Sequence, residues 1–264
     1  MGVGNAQKIK NDKDMQRIIN KKPLCSGITL IKKTLEESRE PVVIHVVGSC
    51  RDVAAAIYGY PQLFKEKCRA IYLNAGTGYS KEDLEYNVAL DSYSFEQIFK
   101  APCPVYWMPC YTSSVDEIGE YGTFYRFKQK EILPYLSFNI QKYFSYALMK
   151  NRDLDWLSYL RKPIDVDYIK EQGELYRNMW CTAGFLHTAG KTVTSNGDIV
   201  SLQDNDTKAV FDFIPIRVVS NKDGRINWEI TNVSTNRYIF KVLDLENYQS
   251  AMTKALKTLL SELP

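Results

Sequence analysis

The chain has 264 residues, 45% of them hydrophobic and 25% charged, and this length suffices for one large α/β domain or two small ones with a sizeable core. Its 34 basic and 31 acidic side chains give a net charge of +3, without the clustered excess of Lys and Arg that nucleic-acid binding requires. Apolar runs stay well short of the roughly 18 residues of a membrane span, so we expect neither a nucleic-acid nor a membrane partner.

The first 115 residues alternate between helical and strand patterns. Two polar segments, "DMQRIINKK" and "SGITLIKKTLEES", predict helices before the first strand. Three apolar, mostly β-branched runs are typical of strands buried on both faces: 41–48, 69–75 and 104–109. A helix interrupted near Gly59 and Pro61 is predicted after the first run, and another from about 91–100 after the second. This order predicts parallel βαβ units with right-handed crossovers.

The second half of the chain has a different pattern. Residues 123–190 carry helix-spaced apolar residues, and we predict that they are mainly helical. Two strands, "AVFDFIPIRVVS" and "RINWEIT", flank "NKDG", whose Asp223-Gly224 pair is a strong β-hairpin signal. The strand "RYIFKVLD" and a closing amphipathic helix complete the pattern. We therefore predict a single α/β domain over 1–264, a mainly parallel sheet flanked by helices, with a C-terminal β-hairpin and closing helix.

Cysteine usage and the first residues bear on the compartment. The six cysteines are scattered without a C-x-x-C pair, and most lie beside apolar runs, as small buried thiols do. The polar opening "MGVGNAQKIKNDKDMQRIINKK" contains no apolar core of a signal peptide. We expect a soluble, cytoplasmic protein with reduced thiols.

Polar groups concentrate where the predicted parallel strands end. In open parallel sheets, ligands bind beyond the carboxyl ends of the strands, where 48–52, 74–87 and 109–114 fall. Glu85 and Asn87 lie two residues apart, so in an extended segment both side chains point to the same side. A carboxylate beside an amide can bind vicinal hydroxyls, because the carboxylate accepts hydrogen bonds and the amide both donates and accepts them.

Simpler explanations compete with a binding site in this stretch. Asp91 is predicted to cap the following helix by accepting its free N–H groups. Glu85 and Asn87 are explained equally well as residues that only order their loop. His45 and Cys110 lie in or beside apolar strands and are predicted to be core residues rather than catalysts.

The segment "AIYLNAG…LEYNVALDS" resembles the nucleoside hydrolase family, in which a strand ending in Met-Gly-Gly is followed by E-F-N-x-x-x-D-P. Glu85, Asn87 and Asp91 match this spacing, and in the family the Glu and Asn hold the ribose hydroxyls. Upstream, "VVGSCRDVAAAI" resembles the family's G-P-L-T-N-[IL]-A. The resemblance covers roughly residues 25–115 and implies a nucleoside hydrolase-like fold, hydrolysis of an N-glycosidic bond, and Ca²⁺ in an intact member.

Further site-lining residues follow from the same comparison. Asn74 ends the strand, Asp52 replaces the Asn of the upstream motif, and Tyr79 stands near the place of a ribose-binding Asn. His187 is placed to meet a base, although a role at a helix end explains it as well.

The chain departs from the family pattern at the positions where family members bind the metal ion and the water. The family opens with a strand carrying D-x-D-x-x-x-D-D, whereas "DKD" at 12–14 lies in a helix-like stretch. The family's later His-Asp pair is absent from "NMWCTAGFL", and Arg51 replaces the Thr whose carbonyl reaches the metal. We therefore expect no metal site in this chain, which would lack the metal-binding N-terminal segment and be inactive alone.

Three hypotheses follow from these observations. The first is a nucleoside hydrolase homologue that, when complete, hydrolyses a ribonucleoside. The second is a non-enzymatic nucleoside- or sugar-binding module of the same fold, and the third is a structural α/β protein. The expected partner is a small nucleoside or glycoside. The true substrate, the preferred base and a homo-oligomeric state stay open.

Overall fold

The computed structural model describes residues 1–79, 83–148, 155–163, 165–204 and 208–263. Its strands, in chain order, are β1 Val42–Val46, β2 Cys68–Asn74, β3 Val105–Met108, β4 Tyr125–Lys128, β5 Tyr176–Met179, β6 Lys191–Val193, β7 Ile199–Ser201, β8 Phe211–Lys222, β9 Arg225–Ile230 and β10 Arg237–Val242. Six of them form the largest sheet, in the order β1-β2-β3-β10-β8-β9. The first four of this order are parallel, and β8 and β9 are antiparallel additions at one side. The predicted mainly parallel sheet is confirmed.

Helices occupy both faces of this sheet. The α-helices in the described ranges are α1 Asp12–Asn20, α2 Ser26–Glu37, α3 Arg51–Gly59, α4 Pro61–Lys67, α5 Tyr86–Leu90, α6 Ser92–Ile98, α7 Phe138–Leu148, α8 Trp156–Leu160, α9 Val166–Gly173, α10 Thr182–Thr188 and α11 Tyr248–Ser261. The two predicted N-terminal helices, the break before Pro61 and the closing helix are confirmed. None of the described helices is long and apolar enough to cross a membrane.

Alternating side chains of the central strands supply two separate cores. Ile71, Leu73 and Trp107 pack on one face, where α1 to α4 and α6 contribute to the buried cluster. Tyr72 and Phe240 belong to the cluster on the opposite face, which α10, α11 and β4 cover. A sheet buried on both faces explains why its strands appear in the sequence as nearly continuous apolar runs.

A row of stacked rings crosses four adjacent strands on the second face. His45, Tyr72, Tyr106 and Tyr238 are register partners on β1, β2, β3 and β10. Their ring centroids lie 4.9, 4.8 and 4.7 Å apart from one pair to the next. Such pairs contribute about 0.5 to 1.5 kcal/mol each beyond area burial, so the row favours this register over its alternatives.

The prediction that 123–190 is mainly helical is wrong in part. Strands β4 and β5 pair antiparallel within this range, although α7 to α10 are helical as predicted. Tyr125 and Phe127 are buried whereas Arg126 and Lys128 are less so, which is the period of two that a half-buried strand requires. The four-residue strands were too short to stand out against the helical spacing around them.

The predicted hairpin is confirmed, with its turn at Asp223-Gly224 between β8 and β9. Both turn residues have positive φ, 54° and 78°, as a type I′ turn demands. The tip of the hairpin packs against α5 and α6, where the Gly224 N–H donates to Glu96 Oε1 at 2.6 Å. The far end of the sheet therefore supports the segment that follows β2.

We expect Gly224→Ala to reduce the free energy of unfolding by about 2 to 4 kcal/mol. The substitution places an L side chain in the left-handed backbone region and also forces its Cβ into tightly packed neighbours. A Cβ there would lie 2.7 Å from Val88 Cγ1 and 2.9 Å from Ser92 Cβ. Gly190→Ala is the matched control, since φ is 70° there and no atom lies within 4 Å of the added Cβ, so only about 1 kcal/mol should be lost. Urea unfolding of both variants measures the difference, and equal losses would contradict the packing argument.

Candidate functional site

A cavity of about 710 Å³ lies beyond the carboxyl ends of β2 and β3. The loops that follow β1, β2 and β3 and the start of α10 contribute to its wall. Its lining residues are Val47, Asn74, Thr77, Asp83, Leu84, Glu85, Tyr86, Asn87, Cys110, Tyr111, Ser113, Ser114, Val115, Trp180 and Cys181. This position is where ligands bind in open parallel sheets. Residues 80–82 of the second loop lie outside the described residues.

Glu85 and Asn87 both line this cavity, but the extended geometry predicted for them is wrong. Helix α5 begins at Tyr86, and Glu85 is its N-cap. The Glu85 carboxylate accepts the N–H groups of Asn87 and Val88 at 3.0 and 3.4 Å. It also accepts the Gly76 N–H at 2.9 Å, which ties the end of β2 to α5. The segment prefers helix because the carboxylate satisfies the free N–H groups of its first turn.

Glu85 and Asn87 differ in how many of their side-chain polar atoms already form hydrogen bonds. A carboxylate offers about four acceptor positions, and three N–H groups approach that of Glu85. By contrast, the Asn87 side-chain amide makes no hydrogen bond within the described part of the chain, although it is half-buried on the cavity wall. The wall therefore presents one free amide beside a carboxylate with little remaining capacity.

Asn74 joins the three elements that form the floor of the cavity. It is 3% exposed, and its amide nitrogen donates to the Met108 carbonyl at 2.8 Å and to Thr123 Oγ1 at 3.2 Å. The Cys181 thiol, at the start of α10, donates to Asn74 Oδ1 at 3.0 Å. Every polar atom of this side chain is therefore engaged, and Asn74 holds the ends of β2 and β3 and the start of α10 together.

Aromatic and apolar side chains form the rest of the cavity. Tyr111 and Trp180 meet edge to face at 6.2 Å, and both pack on Phe124 behind them. At the rim, Tyr86 and Val115 are 74% and 72% exposed. Exposed apolar groups around a concave site are typical of surfaces that a ligand covers.

Cys110 is a buried thiol, as predicted, and it lines the cavity together with Glu85. Burial raises the pKa of the Cys110 thiol well above its ordinary value, and the Glu85 carboxylate raises it further. Burial likewise raises the pKa of the Cys181 thiol. Neither thiol is a nucleophile at neutral pH, since the thiolate is the reactive form.

Asp91 is a structural residue, and the prediction that it caps the next helix is confirmed. Its carboxylate accepts the Ser94 N–H at 3.0 Å and the Ile9 N–H at 2.7 Å. Arg51 pairs with it at 3.1 Å and also donates to the Leu90 carbonyl at 2.6 Å. Of the three positions that match the family spacing, this one is therefore buried beneath the site rather than exposed in it.

The structure does not bring Asp52 to the cavity. Its carboxylate accepts the Asn5 N–H at 2.9 Å and faces the N-terminal segment. A Cβ at Gly4 or Gly27 would lie within 2.7 Å of Asp52 Oδ2, so the chain packs closely around this side chain. Asp52, which stands in place of the family's Asn, therefore attaches the first residues of the chain to α3.

Tyr79 and His187 are not among the residues that line the cavity. The Tyr79 ring stacks on Trp228 of β9 at 6.0 Å, and the Trp228 indole donates to the Gly78 carbonyl at 2.6 Å. His187 lies near the end of α10, where its Nδ1 is hydrogen-bonded to the Tyr72 hydroxyl at 2.6 Å. His45, next in the ring row, is hydrogen-bonded to Thr188 Oγ1 at 2.9 Å.

Several lining residues were missed in the sequence. Tyr111 lies in the loop 109–114 that the sequence placed at this edge, and its proximity to a predicted strand end was the available signal. Trp180 and Cys181 lie between β5 and α10, within "NMWCTAGFL", and the available signal was that the resemblance places the family's later His-Asp pair in this stretch. Asp83 is exposed and adds a second carboxylate to the cavity.

The residues at this cavity do not fit a calcium ion. Calcium takes about six to eight oxygen ligands, largely from carboxylates. Among the residues that the structure describes, the cavity wall offers two carboxylates, Asp83 and Glu85, and the second is engaged by backbone N–H groups. Across the described ranges no group of three or more His, Cys, Asp or Glu side chains is arranged to hold a metal ion.

Comparison with known proteins gives one informative sequence match. The chain is 31% identical over 83 residues to the pyrimidine-specific ribonucleoside hydrolase RihA of Citrobacter koseri, and equally to that of Escherichia coli O1:K1. The match spans 31% of this chain but only 27% of either relative. No protein-family model matches the sequence.

Solved structures of nucleoside hydrolases are more distant. An inosine-uridine preferring nucleoside hydrolase from Bacillus anthracis aligns over 88% of this chain and 65% of its own, with 14% identity and a TM-score of 0.37. A purine-preferring ribonucleoside hydrolase from Gardnerella vaginalis aligns over 93% and 72%, with 12% identity and a TM-score of 0.42. The sequence match confirms the predicted resemblance to nucleoside hydrolases over the 83 residues that it covers.

The two histidines predict a pH dependence of stability. Burial lowers the pKa of both His45 and His187, so the folded protein binds fewer protons than the unfolded chain just below the ordinary histidine pKa. We therefore expect the free energy of unfolding to fall as pH decreases from about 7.5 to about 5.5, where histidine is the main titrating side chain. Urea unfolding across this range measures the slope. A His187→Gln variant should flatten the dependence, and greater stability at the lower pH would contradict it.

Proposed function

We propose that this chain binds the ribose of a ribonucleoside, or a closely related glycoside, in the 710 Å³ cavity at the end of its parallel sheet. The observation that carries the proposal is the free amide of Asn87 beside the Glu85 carboxylate on the cavity wall. In nucleoside hydrolases, which the chain resembles, the matching Glu and Asn hold the ribose hydroxyls. Hydrolysis of the N-glycosidic bond is the activity that we propose for a complete protein of this kind.

Hydrogen-bonding capacity supports a sugar at this wall. The Asn87 amide both donates and accepts, so it matches a hydroxyl group that does the same. Glu85 retains about one acceptor position for a hydroxyl proton after its three N–H contacts. Because Glu85 is held by the backbone, its position is set before a ligand arrives, which lowers the entropic cost of binding.

The aromatic part of the lining supports a flat apolar group in the same cavity. Tyr111 and Trp180 add aromatic surface to the lining that contains Glu85 and Asn87, and Tyr86 is exposed. A nucleobase buries apolar area against such rings, whereas a free pentose would leave them uncovered. We therefore propose a nucleoside rather than a free sugar as the ligand.

The state of the carboxylates favours an alternative for this polypeptide. In that alternative it is a binding module without hydrolytic activity. Cleavage of an N-glycosidic bond passes through a cationic sugar and needs an activated water. Glu85 holds the backbone of α5, and Asp83, the other cavity carboxylate, is exposed. The donor set also does not fit calcium, so neither route to an activated water is supported by the described residues.

We expect Asn87→Ala to weaken nucleoside binding by about 1 to 3 kcal/mol, the range for losing hydrogen-bond partners in a desolvated site. Calorimetric titration with inosine and uridine measures the change, after the parent protein has been shown to bind one of them. Asn20→Ala is the matched control, because Asn20 is an exposed asparagine at the end of α1. Unchanged affinity in Asn87→Ala would place the site elsewhere, as would an equal loss in both variants.

We also expect this polypeptide to release no base from inosine or uridine above the uncatalysed rate. Contacts that bind substrate and transition state equally do not raise the chemical rate. Chromatographic detection of free base, with and without added calcium, measures this at a protein concentration that saturates the ligand. Calcium-dependent release by the parent that is lost in Asn87→Ala would contradict the expectation and show a complete active site.

A further inference from the structure

A second, smaller cavity of about 190 Å³ lies between the β4–β5 sheet and the closing helix α11. It shares no lining residue with the cavity that holds Glu85. Its wall is mostly apolar, with Phe127, Leu133, Phe144, Met179 and Leu256 among the contributors. Unlike the first cavity, it is not lined by the loops that follow the parallel strands, so the nucleoside proposal makes no use of it.

The pairing of β4 with β5 explains how one charged residue enters this apolar wall. Arg177 is the register partner of Phe127, and Met179 is that of Tyr125, so these four side chains share one face of the small sheet. Tyr125 packs against Tyr248 of α11, which shows that this face is turned toward the closing helix. Arg177 therefore lies on the apolar face, at the solvent-exposed side of the cavity.

The charge of Arg177 has no counterpart in the described part of the chain. No hydrogen bond or ion pair involves its guanidinium there. The neighbouring lysines already have an anionic partner, because Lys128 and Lys130 form ion pairs with Glu174 at 3.4 and 2.9 Å. Arg126, on the opposite face, lies 4.2 Å from the centre of the Tyr176 ring. A free guanidinium presents a planar fork of N–H donors that matches a carboxylate.

The remaining polar group of the wall does not compete for that carboxylate. Gln129 is 5% exposed, and its amide nitrogen donates to the Gln172 carbonyl at 3.0 Å. The cavity thus combines an apolar interior with one cation at its open side. Pockets that bind small molecules have this composition, in which apolar walls provide affinity and a few polar groups fix orientation.

We propose that this cavity binds a small amphiphilic carboxylate, with its apolar part between β4–β5 and α11 and its carboxylate on Arg177. A volume of 190 Å³ accommodates about six groups the size of a water molecule, at roughly 30 Å³ each. This selects acids with a short aliphatic or single-ring apolar part and excludes long-chain lipids. Octanoate is a probe of suitable size.

The test is a titration of the full chain with sodium octanoate, monitored by ligand-detected NMR and by calorimetry at low salt. Binding is expected at millimolar or lower concentration. Arg177→Gln should weaken it about three- to tenfold, the range for a charge-assisted contact at a solvent-exposed site. Octanol, which has the same chain without the charge, should bind Arg177→Gln as well as it binds the parent.

Two further variants make the result specific. Arg39→Gln removes an exposed arginine outside the cavity, so it should leave octanoate affinity unchanged. Leu260→Phe fills the cavity from α11 and should weaken octanoate and octanol together, with thermal unfolding used to verify that the variant is folded. Absence of octanoate binding at about 10 mM would overturn the proposal, because that limit already corresponds to very weak affinity. Equal weakening by Arg177→Gln and Arg39→Gln would overturn it as well.

Discussion

The parallel register of β1, β2 and β3 determines where the other features of this protein lie. Val46 pairs with Leu73, and Asn74 with Met108, so the strands end together at one edge of the sheet. The loops after β1, β2 and β3, which form most of the large cavity, leave from this edge. A slip of one residue in any strand would turn its side chains to the opposite face and break the row of stacked rings. The cavity is therefore a consequence of strand pairing, and the rings help to fix that pairing.

Polar side chains at this edge of the sheet hold the loops in place and also line the cavity. Parallel strands end with free backbone groups, which must find partners when they are buried. The Asn74 amide donates a hydrogen bond to the Met108 carbonyl. The Glu85 carboxylate accepts the Gly76 N–H and the first N–H groups of α5. Because Glu85 binds the first turn of α5, these contacts hold the backbone that carries Asn87 at the cavity wall. Rigid support of this kind is what a specific binding group needs.

The features that the sequence predicts correctly are local ones. Buried strands, the Asp223-Gly224 turn and the Asp91 cap depend on residues within a few positions of each other. The errors concern contacts between distant parts of the chain. Asp52 is held by Asn5 and Tyr79 by Trp228, pairings that nothing in the spacing of these residues indicates. Glu85 was misjudged for a different reason, since a five-residue helix is too short for a periodic signal, although an acidic N-cap followed by apolar residues was present.

Glu85 illustrates why binding and cleavage separate at this site. A carboxylate that accepts three backbone N–H groups is kept in one orientation. With three of its about four acceptor positions used, it has little capacity left to take a proton from water. A hydrogen bond that such a residue accepts from a sugar does not raise the chemical rate when it is equally strong in the bound substrate and in the transition state. Acceleration therefore requires a second group that acts only as positive charge develops on the sugar, and the described residues of this cavity do not assemble one.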